Sequence, residues 1–145
     1  MATAVDDLKR VPLFSGLNQR QLRRLARDCK ERDFRPGTKV VRQGHMSGVG
    51  FFVIRDGEAA VSVDGADVAT LGPGDHFGEL ALVSKQLRTA TVTAVTPLRC
   101  LVMMFWDFRD FAKRNPDVLW RLLEHVVGLL ADERSKRAKA SLPAS

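Results

Sequence analysis

Apolar and polar positions along the chain follow two periods, and the switches between them divide it into three stretches. From Asn18, in NQRQLRRLARDCK, Leu22, Leu25, Ala26 and Cys29 fall at i, i+3, i+4 and i+7. That spacing is one helical face and predicts about three turns, with Asn18 and Gln21 placed as a capping box. Arg35-Pro36-Gly37 stops the helix, because proline cannot donate to the ladder and glycine permits a reversal. Between residues 38 and 104 short β-branched or aromatic runs take over: Lys39 to Arg42, Gly50 to Ile54, Ala59 to Val63, Asp67 to Leu71, Thr89 to Val95 and Arg99 to Met104. Runs recurring about every ten residues predict a sandwich or jelly roll. Asp64-Gly65 is a hairpin signal, since both turn positions want positive φ, and the alternation in Thr91-Val92-Thr93-Ala94 predicts a half-buried strand.

After Met104 the helical period returns. Phe105, Phe108 and Phe111-Ala112 mark a short helix, and Asn115-Pro116-Asp117 reads as an N-cap with proline at the first helical position. Beyond it Leu119, Leu122-Leu123, Val126 and Leu130 form a stripe over about three to four turns. The expected fold class is α+β, mainly β: a jelly-roll β-sandwich flanked by an N-terminal helix and two C-terminal helices. One domain is expected over residues 1–134, with a flexible polar tail at 135–145 whose small, basic and proline-containing composition favours fraying.

Composition narrows the function classes. A chain of 145 residues, 45% hydrophobic, is long enough for one real core. Its net charge of +6 permits an anionic partner, but the basic residues are spread rather than gathered in a block. Arg20, Arg23, Arg24 and Arg27 fall on the outward helix face, the ordinary pattern of a solvated helix. MATAVDDLKR has no apolar core of a signal peptide, and no window approaches the roughly 18 apolar residues of a membrane span, so a cytoplasmic protein without membrane insertion is expected. Cys29 and Cys100 lack CxxC spacing and are expected to be buried, reduced thiols. There is no GxSxG, no Walker-type GxxxxGK and no HExxH, so catalysis is not expected. His76 and Glu79 could suggest a cupin-like metal enzyme, but only His45 and His125 remain as further histidines, both remote in sequence, and no metal is expected. Trp106 and Trp120 lie beside apolar helix positions, where core or interface roles are usual.

The stretch GDHFGELALVSKQLRTATV, residues 74–92, carries the candidate chemistry. Leu71-Gly72-Pro73-Gly74 is a reversal, after which Phe77-Gly78-Glu79-Leu80-Ala81-Leu82 can wind into one helical turn. A helix start presents unpaired N–H groups, so an anion is favoured in front of Leu80 and Ala81, and Gly78 allows close approach. Arg88 adds a planar fork able to hold two phosphate oxygens. Glu79 beside a phosphate is repulsive unless it accepts a hydrogen bond from a neutral group on the same ligand, and a ribose hydroxyl serves. Amides and arginine for phosphate, with glutamate for sugar, describe a nucleotide phosphate attached to its own ribose.

At these residues the sequence resembles the cyclic nucleotide-binding domain family of the catabolite activator and protein kinase A regulatory subunit type. The likeness rests on Phe77-Gly78-Glu79-Leu80-Ala81-Leu82 and Arg88-Thr89-Ala90-Thr91-Val92. It extends through Pro36-Gly37, Gln43-Gly44, Phe51-Phe52-Val53-Ile54, Gly57, Leu71-Gly72-Pro73-Gly74-Asp75 and Asn115-Pro116, covering about residues 10–130. It implies a ligand-binding cassette of Phe77, Gly78, Glu79, Leu80, Ala81, Arg88, Thr89 and Ala90. In it Glu79 takes the ribose 2′-hydroxyl, Gly78, Leu80 and Ala81 give backbone contacts, and Arg88 neutralises the cyclic phosphate. Cyclic AMP (cAMP) is favoured over cyclic GMP (cGMP); the Thr89 hydroxyl suits either the phosphate or a guanine amino group. Leu87 and Ser84-Lys85-Gln86 depart from the family's usual proline and glycine in this loop, and His45 with Gly48-Val49 replaces an acidic pair. The implied role is a cyclic nucleotide sensor that repositions its last helix and presents Leu119, Leu122, Val126 and Leu130 to a second copy or another protein. The alternative is a catabolite-activator-type transcription regulator lacking its own DNA-binding module. A helix-turn-helix needs on the order of 60 further residues, so direct DNA binding is not expected.

Overall fold

The computed structural model describes residues 3–44, 50–78 and 90–141. The chain opens with a short helix, α1 (Ala4–Lys9), a 3₁₀ turn (Pro12–Phe14) and a second helix, α2 (Gln19–Arg27). Both helices start on reciprocal capping boxes, Thr3 with Asp6 and Asn18 with Gln21. Eight strands follow among the described residues: β1 (Lys30–Phe34), β2 (Lys39–Val41), β3 (Gly50–Asp56), β4 (Ala59–Val63), β5 (Ala66–Leu71), β6 (His76–Phe77), β7 (Thr91–Ala94) and β8 (Leu98–Met104). They form two antiparallel sheets, ordered β1-β8-β3-β6 and β2-β7-β4-β5, which face each other as a jelly-roll sandwich. Two helices close the described chain, α3 (Phe105–Arg114) and α4 (Pro116–Ser141).

The first sheet lies between two cores because its side chains alternate between its faces. Phe52, Ile54, Cys100 and Val102 point between the sheets, where they meet Val41, Ala59, Phe77, Val92 and Ala94. Their neighbours Phe51, Val53, Leu101 and Met103 point outward onto Phe14, Leu22, Leu25, Phe108, Val118 and Leu122 of the helical elements. With both faces covered, β3 and β8 read as continuous apolar runs rather than alternating ones. Phe14 organises the helical side: its ring is fully buried, edge-on to Phe51 at 6.0 Å and 6.4 Å from Phe108. One buried charge ties α1 to the sheet, Asp7, whose Oδ2 lies 2.7 Å from Nε of Arg55 on β3. Arg55 also donates to Glu31 of β1 at 2.7 Å.

Several expectations need correction. β1, KERDF, was not expected because four of its five residues are exposed charged side chains. Its place is set by pairing with β8 and by a cross-strand hydrogen bond from Arg99 to Asp33 at 2.9 Å. The N-terminal flank holds two helices and a 3₁₀ turn instead of one helix. Asn115 immediately precedes α4, but its side chain is engaged elsewhere: Nδ2 donates to the Phe111 carbonyl at 3.0 Å and Oδ1 accepts from Gln21 at 2.7 Å. It joins α2 to the α3–α4 corner. Helix α4 runs through Ser135 as far as Ser141, in keeping with the strong helix formers of KRAKA.

The face of α4 is also corrected. Among the described residues its buried side chains are Val118 and Leu122, with half-buried Val126 packed beside them. The exposed apolar face is Leu119, Trp120, Leu123 and Val127, at 46%, 65%, 53% and 55% exposure. Leu122 and Val126 therefore belong to the core, while the side chain of Leu130 lies outside the described residues. Trp106 and Trp120 are likewise surface residues, each more than half exposed.

Candidate functional site

The site begins with a turn that aims β6. In Gly72-Pro73-Gly74-Asp75, the Asp75 carboxylate accepts from the Gly72 N–H at 2.8 Å and the Asp75 N–H donates to the Gly72 carbonyl at 3.0 Å. Gly74, at φ +91°, reaches the Ile54 carbonyl at 2.9 Å, and Asp75 receives the Ile54 N–H at 2.8 Å. The turn is thereby fixed onto β3, and β6 continues along that strand in register, Val53 opposite His76 and Phe52 opposite Phe77.

The two residues of β6 project to opposite sides of the first sheet. Phe77 is buried in the inter-sheet core, stacked on Phe52 at 4.8 Å with the rings 6° from parallel. It closes the strand rather than opening a helical turn, and it anchors the segment that follows. His76 faces the helical side, its ring 5.4 Å from Phe51 and 6.5 Å from His125 of α4. Gly78 then turns the chain with φ +86°, a left-handed conformation that glycine adopts without steric cost.

Glu79, Leu80, Ala81, Arg88 and Thr89 lie outside the described residues. The chain is described again from half-buried Ala90, followed by β7 in the other sheet, where Val92 enters the inter-sheet core. The described chain thus leaves the first sheet after core residue Phe77 and re-enters, in the second sheet, just before core residue Val92.

The β7 end carries a second anchor. The Gln43 N–H donates to Thr91 Oγ1 at 2.9 Å. The Gln43 side chain pairs with Asp64 in both senses, Nε2 donating to Oδ1 at 2.9 Å and Oε1 accepting from the Asp64 N–H at 2.8 Å. Asp64 and Gly65 have φ of +53° and +82°, so the β4–β5 hairpin tip takes the double positive turn its sequence demands. Gln43-Gly44 therefore ties the end of β2, this hairpin tip and the start of β7 together. Thr91 and Phe52 were not among the expected site residues. Thr91 stands out in the sequence only as a polar position in an alternating strand, and the pairing of Phe52 with Phe77 depends on sheet register.

His125 is a further residue that the sequence does not connect with the site, because it is remote from His76 along the chain. The fold brings them together across 49 residues, α4 against β6. Among the described residues no group of three or more His, Cys, Asp or Glu is placed to hold a metal ion, and no helix is long and apolar enough to cross a membrane. Burial pushes the thiols of Cys29 and Cys100 up to about 12, with Asp28 and Asp107 adding to the effect at Cys29, so both stay protonated at neutral pH.

Comparison with known proteins agrees with this geometry. A family model described as "Cyclic nucleotide-binding domain" matches residues 31–115. A cAMP-dependent protein kinase regulatory subunit from Schizosaccharomyces pombe is 42% identical over 93 residues, covering 63% of the chain and 22% of that protein. The cGMP-dependent protein kinase, isozyme 1, of Drosophila melanogaster is 34% identical over 143 residues, covering 93% of the chain and 18% of that protein. The chain thus spans about a fifth of the length of these two relatives. The crystal structure of the Thermus thermophilus catabolite activator protein superposes with a TM-score of 0.79 over 90% of the chain and 63% of that structure, at 24% identity, which identifies the fold.

Proposed function

The chain belongs to the cyclic nucleotide-binding domain family, and from that premise we propose that it is a cAMP sensor module that transmits occupancy of its cassette to helix α4. The family domain is a ligand-binding, regulatory one, and no reaction is assigned to it. Segment 79–89 is the proposed cradle. Arg88 pairs with the cyclic phosphate, the amides of Gly78, Leu80 and Ala81 contact it, Glu79 accepts from the ribose 2′-hydroxyl, and Thr89 and Ala90 line the far side. Phe77 and Val92 hold the two ends of the cradle.

The alternation at His76 and Phe77 carries this reading. One ring is fastened in the inter-sheet core and the next faces His125, so a shift of the cassette ends acts on α4 through adjacent residues. Ligand contact that favours one spacing of cassette and helix shifts the population toward it. The proposed output surface is the exposed apolar face of α4. Trp120, Leu123 and Val127 follow one another at three and four residues, the spacing of a helix–helix seam, with a second copy or a partner protein as the occupant. The preference for cAMP over cGMP draws on the cAMP-dependent relative, 42% identical over 93 residues, beside the cGMP-dependent one, 34% identical over 143.

Calorimetric titration with cAMP, cGMP and linear AMP, on the native protein and on Arg88→Ala, tests ligand and site together. Binding of cAMP is expected to be the tightest of the three. The variant is expected to lose about 2 to 5 kcal/mol, because a buried phosphate is left without its charge partner. Unchanged affinity in Arg88→Ala would move the phosphate elsewhere and end this assignment.

A further inference from the structure

The two N-terminal helices carry their charges in opposite fashions. In α1 the acids Asp6 and Asp7 occupy the first turn and Lys9 the last, the arrangement a helix dipole favours. α2 has no acid in its first turn and places Arg20 there. Arg20, Arg23, Arg24 and Arg27 lie on one exposed face, opposite buried Leu22 and Leu25. Their spacing makes like-charge neighbours of 20 with 23, 20 with 24, 23 with 27 and 24 with 27, and each such pair works against the helix. Intramolecular partners do not relieve this. Among the described residues, ion pairs join carboxylates to Arg55 and Arg99, and none joins one to an α2 arginine.

We propose that this face of α2 is a docking surface for an acidic α-helix of a partner protein. From Arg20 to Arg27 the face rises about 10.5 Å, two helical turns, so carboxylates at i, i+3, i+4 and i+7 of an apposed helix repeat at the same interval. All four cations are arginines, whose planar forks grip carboxylates with two parallel hydrogen bonds. An anionic membrane fits less well. The apolar side chains of α2 are Leu22 and Leu25, which are buried, and Ala26, which is half-buried, leaving nothing exposed to insert among head groups. A duplex also fits less well, since beyond Arg27 the exposed cations Lys30 and Arg32 are interleaved with exposed Asp28, Glu31 and Asp33, so the basic face does not continue unbroken.

The test is fluorescence anisotropy of the whole protein with a labelled, alanine-based helical peptide bearing glutamates at i, i+3, i+4 and i+7, at low ionic strength. A peptide of the same composition in scrambled order, phosphatidylserine vesicles and duplex DNA serve as competitors. The ordered peptide is expected to bind, and the double variant Arg23→Glu/Arg27→Glu to weaken it roughly tenfold or more, because like charges then face each other. Arg23→Gln/Arg27→Gln is expected to fall between, and circular dichroism and cAMP affinity to stay as in the native protein. Equal binding of the scrambled peptide, or indifference to both double variants, overturns the proposal. So does displacement of the peptide by vesicles or duplex that bind more tightly with the same arginine dependence.

Discussion

The two sheets differ in how much of them is covered, and the difference decides which one packs against the helices. Along β3 and β8 the first sheet is buried on both faces, with Phe52 and Cys100 inward and Phe51 and Leu101 toward the helices. Among the described residues the second sheet is buried on its inner face and more open on the other: β7 alternates between half-buried and buried positions, and Val68 of β5 is 59% exposed. Movement of α2 or α4 therefore bears directly on the first sheet and reaches the second through the inter-sheet core. The chain leaves the first sheet after Phe77 and joins the second at Thr91. On the proposed function the cassette's β6 end is the one that senses helix position, while Gln43 and Val92 hold the β7 end.

The sharpest way to break this contrast is to empty the helical core alone. Phe14→Ala removes a fully buried ring that touches Phe51 and Phe108, and is expected to cost about 3 to 5 kcal/mol in denaturant unfolding. Native-state hydrogen exchange is expected to show amides of α1, α2 and α4 opening at energies where β4 and β7 stay protected. Should β4 and β7 open together with the helices, the two cores act as one unit and the contrast fails.

Much of this division is legible in the order of the amino acids, and the gaps have physical causes. The capping box at Asn18 and Gln21, the Asp64-Gly65 hairpin and most of the strands follow from local pattern, because each is decided by a few adjacent residues. β1 does not, since only Phe34 of its five residues turns inward and its partner strand lies about seventy residues away. The phase of α4 is hidden for a different reason. Its apolar residues come as doublets four apart, Val118-Leu119, Leu122-Leu123 and Val126-Val127, so both faces satisfy a helical period. Only packing against the 3₁₀ turn and α3 selects Val118, Leu122 and Val126 for the core. The cassette is legible as a motif. Its frame is not, because the Phe52–Phe77 stack and the Gln43–Thr91 bond join segments distant in sequence.

A smaller effect tests whether the β6 end is the sensing one. His125→Ala is expected to weaken cAMP binding by about 1 kcal/mol, the low end of ordinary coupling energies, while leaving the fold intact. His76→Ala should do the same, and the double variant should lose less than the sum, since both single changes remove one shared contact. Calorimetric titration of the three variants gives the interaction energy directly. Strict additivity would mean that α4 is read through some other contact.

The smallest expected effect lies on the helical side, at the start of α3. Burial raises the pKa of Asp107 above its ordinary 3.8, and Asp28 and Asp110 add to the rise, while Lys30 opposes it. A carboxyl group whose pKa is raised on folding binds its proton more tightly in the native state than in the unfolded chain. Its ionisation therefore works against the fold, and that cost grows as pH rises from the unfolded value through the folded one. Asp107→Asn cannot ionise, so it is expected to stabilise the protein at pH 7 by a few tenths of a kcal/mol, within the usual range for partly exposed sites. The gain should shrink as pH falls through the folded pKa and vanish below 3.8, where aspartate is protonated in both states. Denaturant unfolding of the two proteins at pH 7 and at the lowest pH where both fold measures the difference. A gain equally large at both would assign it to altered helix-start hydrogen bonding instead of relief of a partly buried charge.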